Sequence, residues 1–145
     1  CALPICLYQL GEVEHWVERR REIASSYRAV INKHNCVLDN LPGKEIYHAY
    51  YRYYAVWNHS SVTRDEFVAL CTEKSIPIFQ GSCSEVYLEK AFDGTISRPK
   101  SPLENAREVG ENSLMLITHQ TLTDNDVNEI CSNLDKILHD ISKRK

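Results

Sequence analysis

A short polar stretch, residues 80–85 (QGSCSE), is the part of the sequence best suited to hold a ligand. It coincides with a predicted helix start, where backbone amides can bind an anion. The alternative is a capped helix start whose hydroxyl groups accept only from local amides. We adopt the ligand-facing interpretation for its polar side chains. The substrate-binding residues predicted in this stretch are Gln80, Ser82, Ser84 and Glu85.

Two histidines could reach the same ligand. His119 directly follows a predicted strand, and ligand-binding loops gather at strand ends. His48 lies inside another predicted strand, where it either faces the site or is a hydrogen-bonded packing residue. Both are included as predicted substrate-binding residues. The histidines form no pair four residues apart and the cysteines form no C-x-x-C pair, so no metal site is predicted.

No catalytic residue is predicted in this chain. The five glycines are too scattered for a phosphate-binding loop, and residues 81–85 lack the G-x-S-x-G pattern of a serine nucleophile. Cys83 could act as a thiolate with His48 or His119 as base, but a packed or loop thiol is the simpler interpretation. The residues alone therefore indicate a domain without a complete active site.

Length and composition favour one globular domain. A chain of 145 residues with 43% hydrophobic content can bury a core, and a formal charge of -3 predicts neither nucleic-acid nor membrane binding. The arginine run 19–21 is assigned to a solvated helix face, with a phosphate contact as the alternative. Free thiols, and the lack of an apolar run of roughly 20 residues, predict a soluble cytoplasmic protein.

Helices are predicted at both ends of the chain and between short strands. Helical spacing from residue 4 to 33 indicates one long amphipathic helix, or two helices that break near Gly11. Thr63 and Glu66 have the pattern of a capping box, which starts a helix that ends near residue 74. Further helices are predicted over residues 82–91, over residues 101–112 with Ser101 as N-cap, and over residues 123–141.

Three strands complete the predicted fold, over residues 46–57, 76–79 and 114–118, with a turn at 39–44. The first strand should be central because it is rich in aromatic residues, whereas Pro77 places the second at an edge or strand start. The resulting fold class is α/β, with a small antiparallel or mixed sheet that is covered by helices and preceded by a long helix.

Several stretches of the chain resemble the C-terminal part of the DegT/StrS family of sugar aminotransferases. Residues 9–10 and 16–27 resemble the linker helix of that family. Residues 45–54 (EIYHAYYRYY) and 75–92 (SIPIFQGSCSEVYLEKAF) resemble its small domain. Residues 113–123 (SLMLITHQTLT) resemble its SLxxxxHPTLT ending, with Gln120 where the family usually has proline. The resemblance covers nearly the whole chain in the same order.

The resemblance implies the small C-terminal domain of the aspartate-aminotransferase fold, with a three- to four-stranded, mainly antiparallel sheet. Residues 1–34 would be a linker helix and residues 35–145 the small-domain sheet and helices. A large N-terminal domain, absent from this chain, would hold pyridoxal phosphate on a lysine. The resemblance also implies a homodimer that transfers an amino group from glutamate to a nucleotide-linked keto-sugar, in polysaccharide or secondary-metabolite biosynthesis.

None of the lysines of this chain lies in the Ser-rich Schiff-base motif of that family. We therefore expect no bound cofactor and no transaminase activity from this chain alone. Glutamate and the nucleotide sugar would bind through the missing large domain. The first residue is not Met and residues 2–9 resemble the inside of an element, so a truncated protein is expected. The alternative is a stand-alone, non-catalytic small-molecule-binding or interaction domain.

Overall fold

The computed structural model describes residues 2–39, 43, 45–81 and 83–144. The predicted site residue Ser82 and most of the predicted turn at 39–44 lie outside these ranges. The helices of the described residues are α1 (Ala2–Ile31), α2 (Arg64–Glu73), α3 (Glu104–Asn112) and α4 (Asp124–Ser142). The strands are β1 (Val37–Leu38), β2 (Arg52–Trp57), β3 (Ile78–Gln80) and β4 (Ser113–Ile117).

The four strands form one antiparallel sheet in the order β1-β2-β4-β3. Tyr53 of β2 pairs with Leu116 of β4, which in turn pairs with Ile78 of β3. The prediction that Pro77 marks an edge strand or a strand start is confirmed, because β3 begins at Ile78 and is the last strand in the sheet order of the described residues. Strand β1 does not appear in the sequence prediction, since two residues are too few to show an alternating pattern.

Strand β2 begins later than the sequence predicts, and the strand prediction for residues 46–51 is wrong. Tyr50 has a φ of 43°, in the left-handed region that bulky side chains rarely adopt. A strand cannot continue through this conformation, since strand residues have φ near about −120° to −140°. Residues 46–51 therefore form an irregular segment in front of β2, despite their strand-like composition.

The core lies between the sheet and helices α1, α2 and α4. The Trp57 ring stacks on Phe67 of α2 with 4.3 Å between ring centroids, and Trp57 Nε1 donates to the Val62 carbonyl oxygen at 2.7 Å. Tyr27 of α1 is fully buried and donates from its hydroxyl to the carbonyl oxygen of Ile117 at 3.0 Å. Full burial of one large apolar side chain contributes about 2 kcal/mol, so these contacts hold the helices on one face of the sheet.

Helix α1 runs without a break through Gly11, so the single-helix alternative is correct. A side chain at Gly11 would meet nothing within 4 Å, because this part of the helix is exposed. Only the second half of α1 packs on the core, through Ile23, Tyr27 and Ile31. None of the described helices is long and apolar enough to cross a membrane. The large apolar side chains exposed on the first half are Leu3, Ile5, Leu7, Tyr8, Leu10 and Val13.

Two helices begin at capping boxes. At the start of α2, the predicted box is confirmed: the Thr63 amide donates to Glu66 Oε2 at 2.7 Å, and the Glu66 amide donates to Thr63 Oγ1 at 3.3 Å. Thr123 and Asp126 make the same reciprocal pair at the start of α4. Each box satisfies two backbone amides that the helix itself cannot pair.

The predicted helix over residues 82–91 is wrong. The described residues form two short 3₁₀ turns instead, at Val86–Leu88 and Lys90–Phe92. Glu85 precedes the first turn but makes no side-chain capping bond, since its carboxylate accepts from the Tyr87 hydroxyl at 2.7 Å. This local contact ties neighbouring residues into a tight turn rather than a helix.

The predicted N-cap at Ser101 is also wrong. Helix α3 begins at Glu104, so its N-cap position is Leu103, which has no side-chain oxygen to accept a capping bond. The Leu103 amide donates instead to the Tyr87 hydroxyl at 3.0 Å. That bond joins the start of α3 to the first 3₁₀ turn, and Leu103 has an extended conformation.

Candidate functional site

The end of β3 holds the first predicted site residue. Gln80 is exposed and donates from Nε2 to Asp65 Oδ1 at 3.0 Å. Arg64 pairs with the same carboxylate at 2.5 Å and donates from Nη1 to the carbonyl oxygens of Gly110 and Ser113, at 3.1 and 3.0 Å. Gln80 therefore extends a polar network that ties β3, α2 and the start of β4 together.

The next predicted residues shape the loop that follows β3. Ser84 packs against Gly110 of α3, where an added Cβ would collide with Ser84 Oγ. Glu85 accepts from Tyr87, which links it to Leu103. The backbone-amide anion site predicted here loses its basis, because two short 3₁₀ turns replace the expected helix.

A second group of polar residues lies at the other end of the central strands. We call it the sheet corner and define it as residues 47–52, residues 118–122 and Arg19–Arg21. Tyr47 opens the corner: its hydroxyl donates to Glu18 Oε1 at 2.7 Å, and this hydrogen bond is the main cause that raises the pKa of Tyr47 to about 12. The Arg21 guanidinium lies 4.5 Å from the centroid of the Tyr47 ring.

His48 holds the unusual backbone of Tyr50 in place. Its Nδ1 accepts from the Tyr50 amide at 3.0 Å, and the two rings lie 4.3 Å apart. On the other side, Thr118 is fully buried and donates from Oγ1 to the Tyr50 carbonyl oxygen at 2.5 Å. The His48 carbonyl oxygen accepts from Arg21 Nη1 at 3.2 Å. His48 thus has a hydrogen-bonded packing role, which is one of the two alternatives left open by the sequence.

His119 is exposed at the end of β4. Its Nδ1 lies 2.7 Å from Thr121 Oγ1, within the short loop that leads to α4. Arg19 of α1 fixes the far end of that loop by donating to the Leu122 carbonyl oxygen at 2.8 Å and by pairing with Asp124 at 2.8 Å. His119 is therefore presented to the outside from a loop that is bound to α1.

The arginine run does not lie on a freely solvated helix face. Arg19 and Arg21 are part-buried, with side chains 21% and 34% exposed, and both bind backbone carbonyl oxygens of other segments. Arg20 donates from Nε and Nη2 to Gln120 Oε1, at 3.3 and 3.0 Å. The three arginines join α1 to the sheet corner, a role that charge patterning alone does not reveal.

The predicted site residues do not form one cluster. Gln80 pairs with Leu114, near the start of β4, whereas His119 follows Ile117 at its end. Arg52 pairs with Ile117 and therefore lies at the same end of the sheet as His119. Gln80, Ser84 and Glu85 thus lie at one end of the sheet and His48 and His119 at the other.

Tyr51, Arg52 and the pair of Arg20 with Gln120 are not among the site residues predicted from the sequence. Gln120 is the residue that replaces the usual proline of the family motif. That substitution was the available signal, because an amide can accept hydrogen bonds from a neighbouring arginine and proline has no side-chain acceptor.

The described residues do not fit a Schiff-base cofactor site. A cofactor lysine needs a shielded pocket that lowers its proton affinity. The lysines with a described position are all exposed: Lys33, Lys74, Lys90, Lys100, Lys136 and Lys143. Within the same residues, no group of three or more His, Cys, Asp or Glu side chains could hold a metal ion.

Comparisons with known proteins point to aminotransferases. A family model described as the DegT/DnrJ/EryC1/StrS aminotransferase family matches residues 1–135. An aminotransferase from Psychrobacter cryohalolentis has a similar structure, with a TM-score of 0.83 and 29% identity, over 92% of this chain and 37% of that chain. The aminotransferase TlmJ from Streptoalloteichus hindustanus is also similar, with a TM-score of 0.77 and 24% identity, over 92% of this chain and 34% of that chain.

The sugar aminotransferase CalS13 from Micromonospora echinospora is similar in fold, with a TM-score of 0.74 at 15% identity, over 90% of this chain and 33% of that chain. The chain thus spans 33% to 37% of the length of these three structures. No curated protein gives a significant match. The fold class and the family resemblance predicted from the sequence are both confirmed.

Proposed function

The chain belongs to the DegT/DnrJ/EryC1/StrS aminotransferase family, and we propose that it is the C-terminal domain of a pyridoxal-phosphate-dependent sugar aminotransferase. The observation that carries the proposal is a family match over residues 1–135, in a chain that spans about a third of its structural relatives. A likeness confined to one region of larger enzymes supports a role as one of their domains.

The proposed domain comprises a linker helix, residues 1–34, and a small domain, residues 35–145. Helix α1 supports this division, because its second half packs on the sheet while Leu3, Leu7 and Leu10 of its first half are exposed. An apolar helix surface of this kind is typical of a contact with another domain.

The cofactor would be held outside these residues. Pyridoxal phosphate, when bound to such an enzyme, acts as an electron sink for the amino group that is transferred. The exposed positions of the described lysines support a cofactor lysine elsewhere in the protein. This chain by itself is therefore proposed to be inactive and to bind no cofactor.

Side chains of this chain would contribute to binding of the substrate. His119 is exposed on a loop that α1 holds in place, so its ring can donate or accept a hydrogen bond at a sugar hydroxyl. Gln80 and Glu85 are held by Asp65 and Tyr87, which supports a role in shaping the loop edge of the site. His48 would act indirectly, through Tyr50.

The proposed reaction transfers an amino group from glutamate to a nucleotide-linked keto-sugar, for polysaccharide or secondary-metabolite biosynthesis. The motifs at residues 75–92 and 113–123, which resemble those of sugar aminotransferases, support a sugar as the acceptor. The working form would be a cytoplasmic homodimer.

The test is an assay of the uninterrupted reading frame that contains this chain. We expect its product to contain a Schiff-base lysine motif upstream of Cys1 and to convert glutamate and a nucleotide-linked keto-sugar to 2-oxoglutarate and the amino sugar. Replacement of His119 by alanine should lower kcat/KM for the sugar and leave the half-reaction with glutamate unchanged.

Two outcomes would contradict the proposal. The first is a start codon immediately before Cys1, which would support a stand-alone binding or interaction domain. The second is a longer protein that shows no transamination with any nucleotide-linked keto-sugar while it folds and dimerises normally.

A further inference from the structure

Two arginines of the sheet corner have no acidic partner. Of the nine arginines in the chain, six lie within 4.0 Å of a carboxylate. Among the described residues, those without such a partner are Arg20, Arg52 and Arg144. Arg144 is an exposed residue just beyond the end of α4, but Arg20 and Arg52 come from different elements and meet at one place.

That place is the ring of Tyr51. The Arg52 guanidinium carbon lies 4.8 Å from the ring centroid and that of Arg20 lies 5.9 Å from it. Both distances are within the range of cation–π contacts. Tyr51 itself is 68% exposed, and Arg20 and Arg52 beside it are partly exposed.

The other contacts of these arginines leave their charge uncompensated. Arg20 binds the neutral side-chain amide of Gln120, and Arg52 makes a long contact of 3.4 Å to the Tyr51 carbonyl oxygen. Each guanidinium carries five N–H donors, so most donors of both groups remain for another acceptor.

At the neighbouring ring, that of Tyr47, the charge of the arginine is compensated by a carboxylate. Arg21 lies against Tyr47, but Glu18 is 3.8 Å from Arg21 Nε and also accepts from the Tyr47 hydroxyl. Positive charge at the sheet corner is therefore concentrated around Tyr51 rather than spread over both rings.

We propose that Arg20, Tyr51 and Arg52 form a binding site for the phosphoryl group of a ligand. Guanidinium groups bind phosphoryl oxygens through two parallel hydrogen bonds, and their weak hydration makes them better suited to this than lysine. The exposed Tyr51 ring offers a flat apolar surface beside the anion, against which a base or sugar ring can lie. The site does not depend on transaminase activity.

The phosphoryl group can come from a free anion or from a nucleotide, and the two sources differ in what Tyr51 contributes. Inorganic pyrophosphate would use the two arginines only. A nucleoside diphosphate would use the arginines and place its ring system near Tyr51. The probes are therefore pyrophosphate, UDP and uridine, titrated calorimetrically into the 145-residue chain at low ionic strength, where charge interactions are least screened.

The main variant is Arg52→Gln, because Arg52 makes no contact that holds another element in place. Arg20→Gln is the second variant, and Arg107→Gln is the matched control, since Arg107 is an exposed helical arginine paired with Glu111. Thermal unfolding of each variant shows whether a loss of binding reflects a loss of fold. Arg52→Lys keeps the charge and should recover part of the affinity.

We expect pyrophosphate and UDP to bind, with affinity at least tenfold lower in Arg52→Gln and Arg20→Gln and unchanged in Arg107→Gln. Tighter binding of UDP than of pyrophosphate, lost in Tyr51→Ala, would identify a nucleotide as the source, and equal binding would identify the free anion. The proposal is overturned if neither probe binds, if both arginine variants bind like the wild type, or if uridine binds as tightly as UDP.

Discussion

Arg20 and Gln120 are joined by two hydrogen bonds to one oxygen atom, from Arg20 Nε at 3.3 Å and from Nη2 at 3.0 Å to Gln120 Oε1. Gln120 occupies the position where the family motif usually has proline. The amide therefore gives the β4–α4 loop a link to α1 that a proline at this position could not provide.

This link should appear as a coupling energy. In a double-mutant cycle with Arg20→Met and Gln120→Met, we expect a coupling of about 1 kcal/mol in the free energy of unfolding, since a hydrogen bond with one charged partner has about that net value when part-exposed. Urea unfolding of the four proteins measures it. A coupling that cannot be distinguished from zero would show that the contact does not persist in solution.

The buried hydroxyl of Thr118 is the next target. It donates to the Tyr50 carbonyl oxygen at 2.5 Å and helps to hold the left-handed backbone of Tyr50. Thr118→Val should lower the free energy of unfolding by about 1–3 kcal/mol, because a buried acceptor loses its donor. Thr72→Val is the control, since the Thr72 hydroxyl also donates to a backbone carbonyl oxygen but at an exposed site. Equal losses in the two variants would contradict this explanation.

Acid should weaken the two capping boxes. Hydrogen bonds from the Thr63 backbone and side chain lower the pKa of Glu66 below 4.5, and those from the Thr123 side chain and backbone lower the pKa of Asp126 below 3.8. A lowered folded-state pKa stabilises the protein above the unfolded-state pKa, and this stabilisation is lost as pH falls through the folded-state pKa.

The free energy of unfolding should therefore decrease as pH falls below about 4.5, and less steeply in the Glu66→Gln/Asp126→Asn double variant. Urea midpoints between about pH 5 and pH 3 measure the difference. The assignment fails if the double variant follows the same pH curve as the wild type.

Gly81 should not tolerate a side chain. A Cβ at this position would collide with both Oγ and Cβ of Ser113, and the Gly81 amide already donates to the Ser113 carbonyl oxygen at 3.0 Å. Gly81→Ala should cost about 1–3 kcal/mol through overpacking. Gly11→Ala, where nothing lies within 4 Å, should instead stabilise helix α1 by about 1 kcal/mol. Thermal unfolding compares the two, and a neutral Gly81→Ala would contradict the tight contact between β3 and β4.

The periodic parts of the fold could be predicted from the sequence. Helices α1, α2 and α4 have regular apolar spacing. The capping box of Thr63 and Glu66 predicts the start of α2 that the structure has. The secondary-structure predictions fail where a hydrogen bond from a local or distant side chain determines the backbone conformation. Tyr87 binds Glu85 in the segment where a helix is expected, and Thr118, far away in sequence, stabilises a Tyr50 conformation that delays the start of the expected strand.

The candidate site was harder to predict, because hydrogen bonds across the fold define it. The polar residues of the 80–85 stretch were visible as a motif, but their engagement with Asp65 and Tyr87 was not. The three arginines looked like a solvated charge run, since the sequence does not show that residues 118–122 fold against them. The one indication in the sequence of a partner for these arginines is Gln120, which stands where the family motif usually has proline.

We propose that this chain is the domain of an aminotransferase that does not carry the cofactor lysine. The most direct measurement is to add one equivalent of pyridoxal phosphate to the product of the full reading frame, to reduce the adduct with borohydride, and to locate the modified lysine by peptide mass spectrometry. We expect a single modified lysine upstream of Cys1 and no stoichiometric adduct on the 145-residue chain alone. Stoichiometric modification of a lysine within residues 1–145 would contradict it.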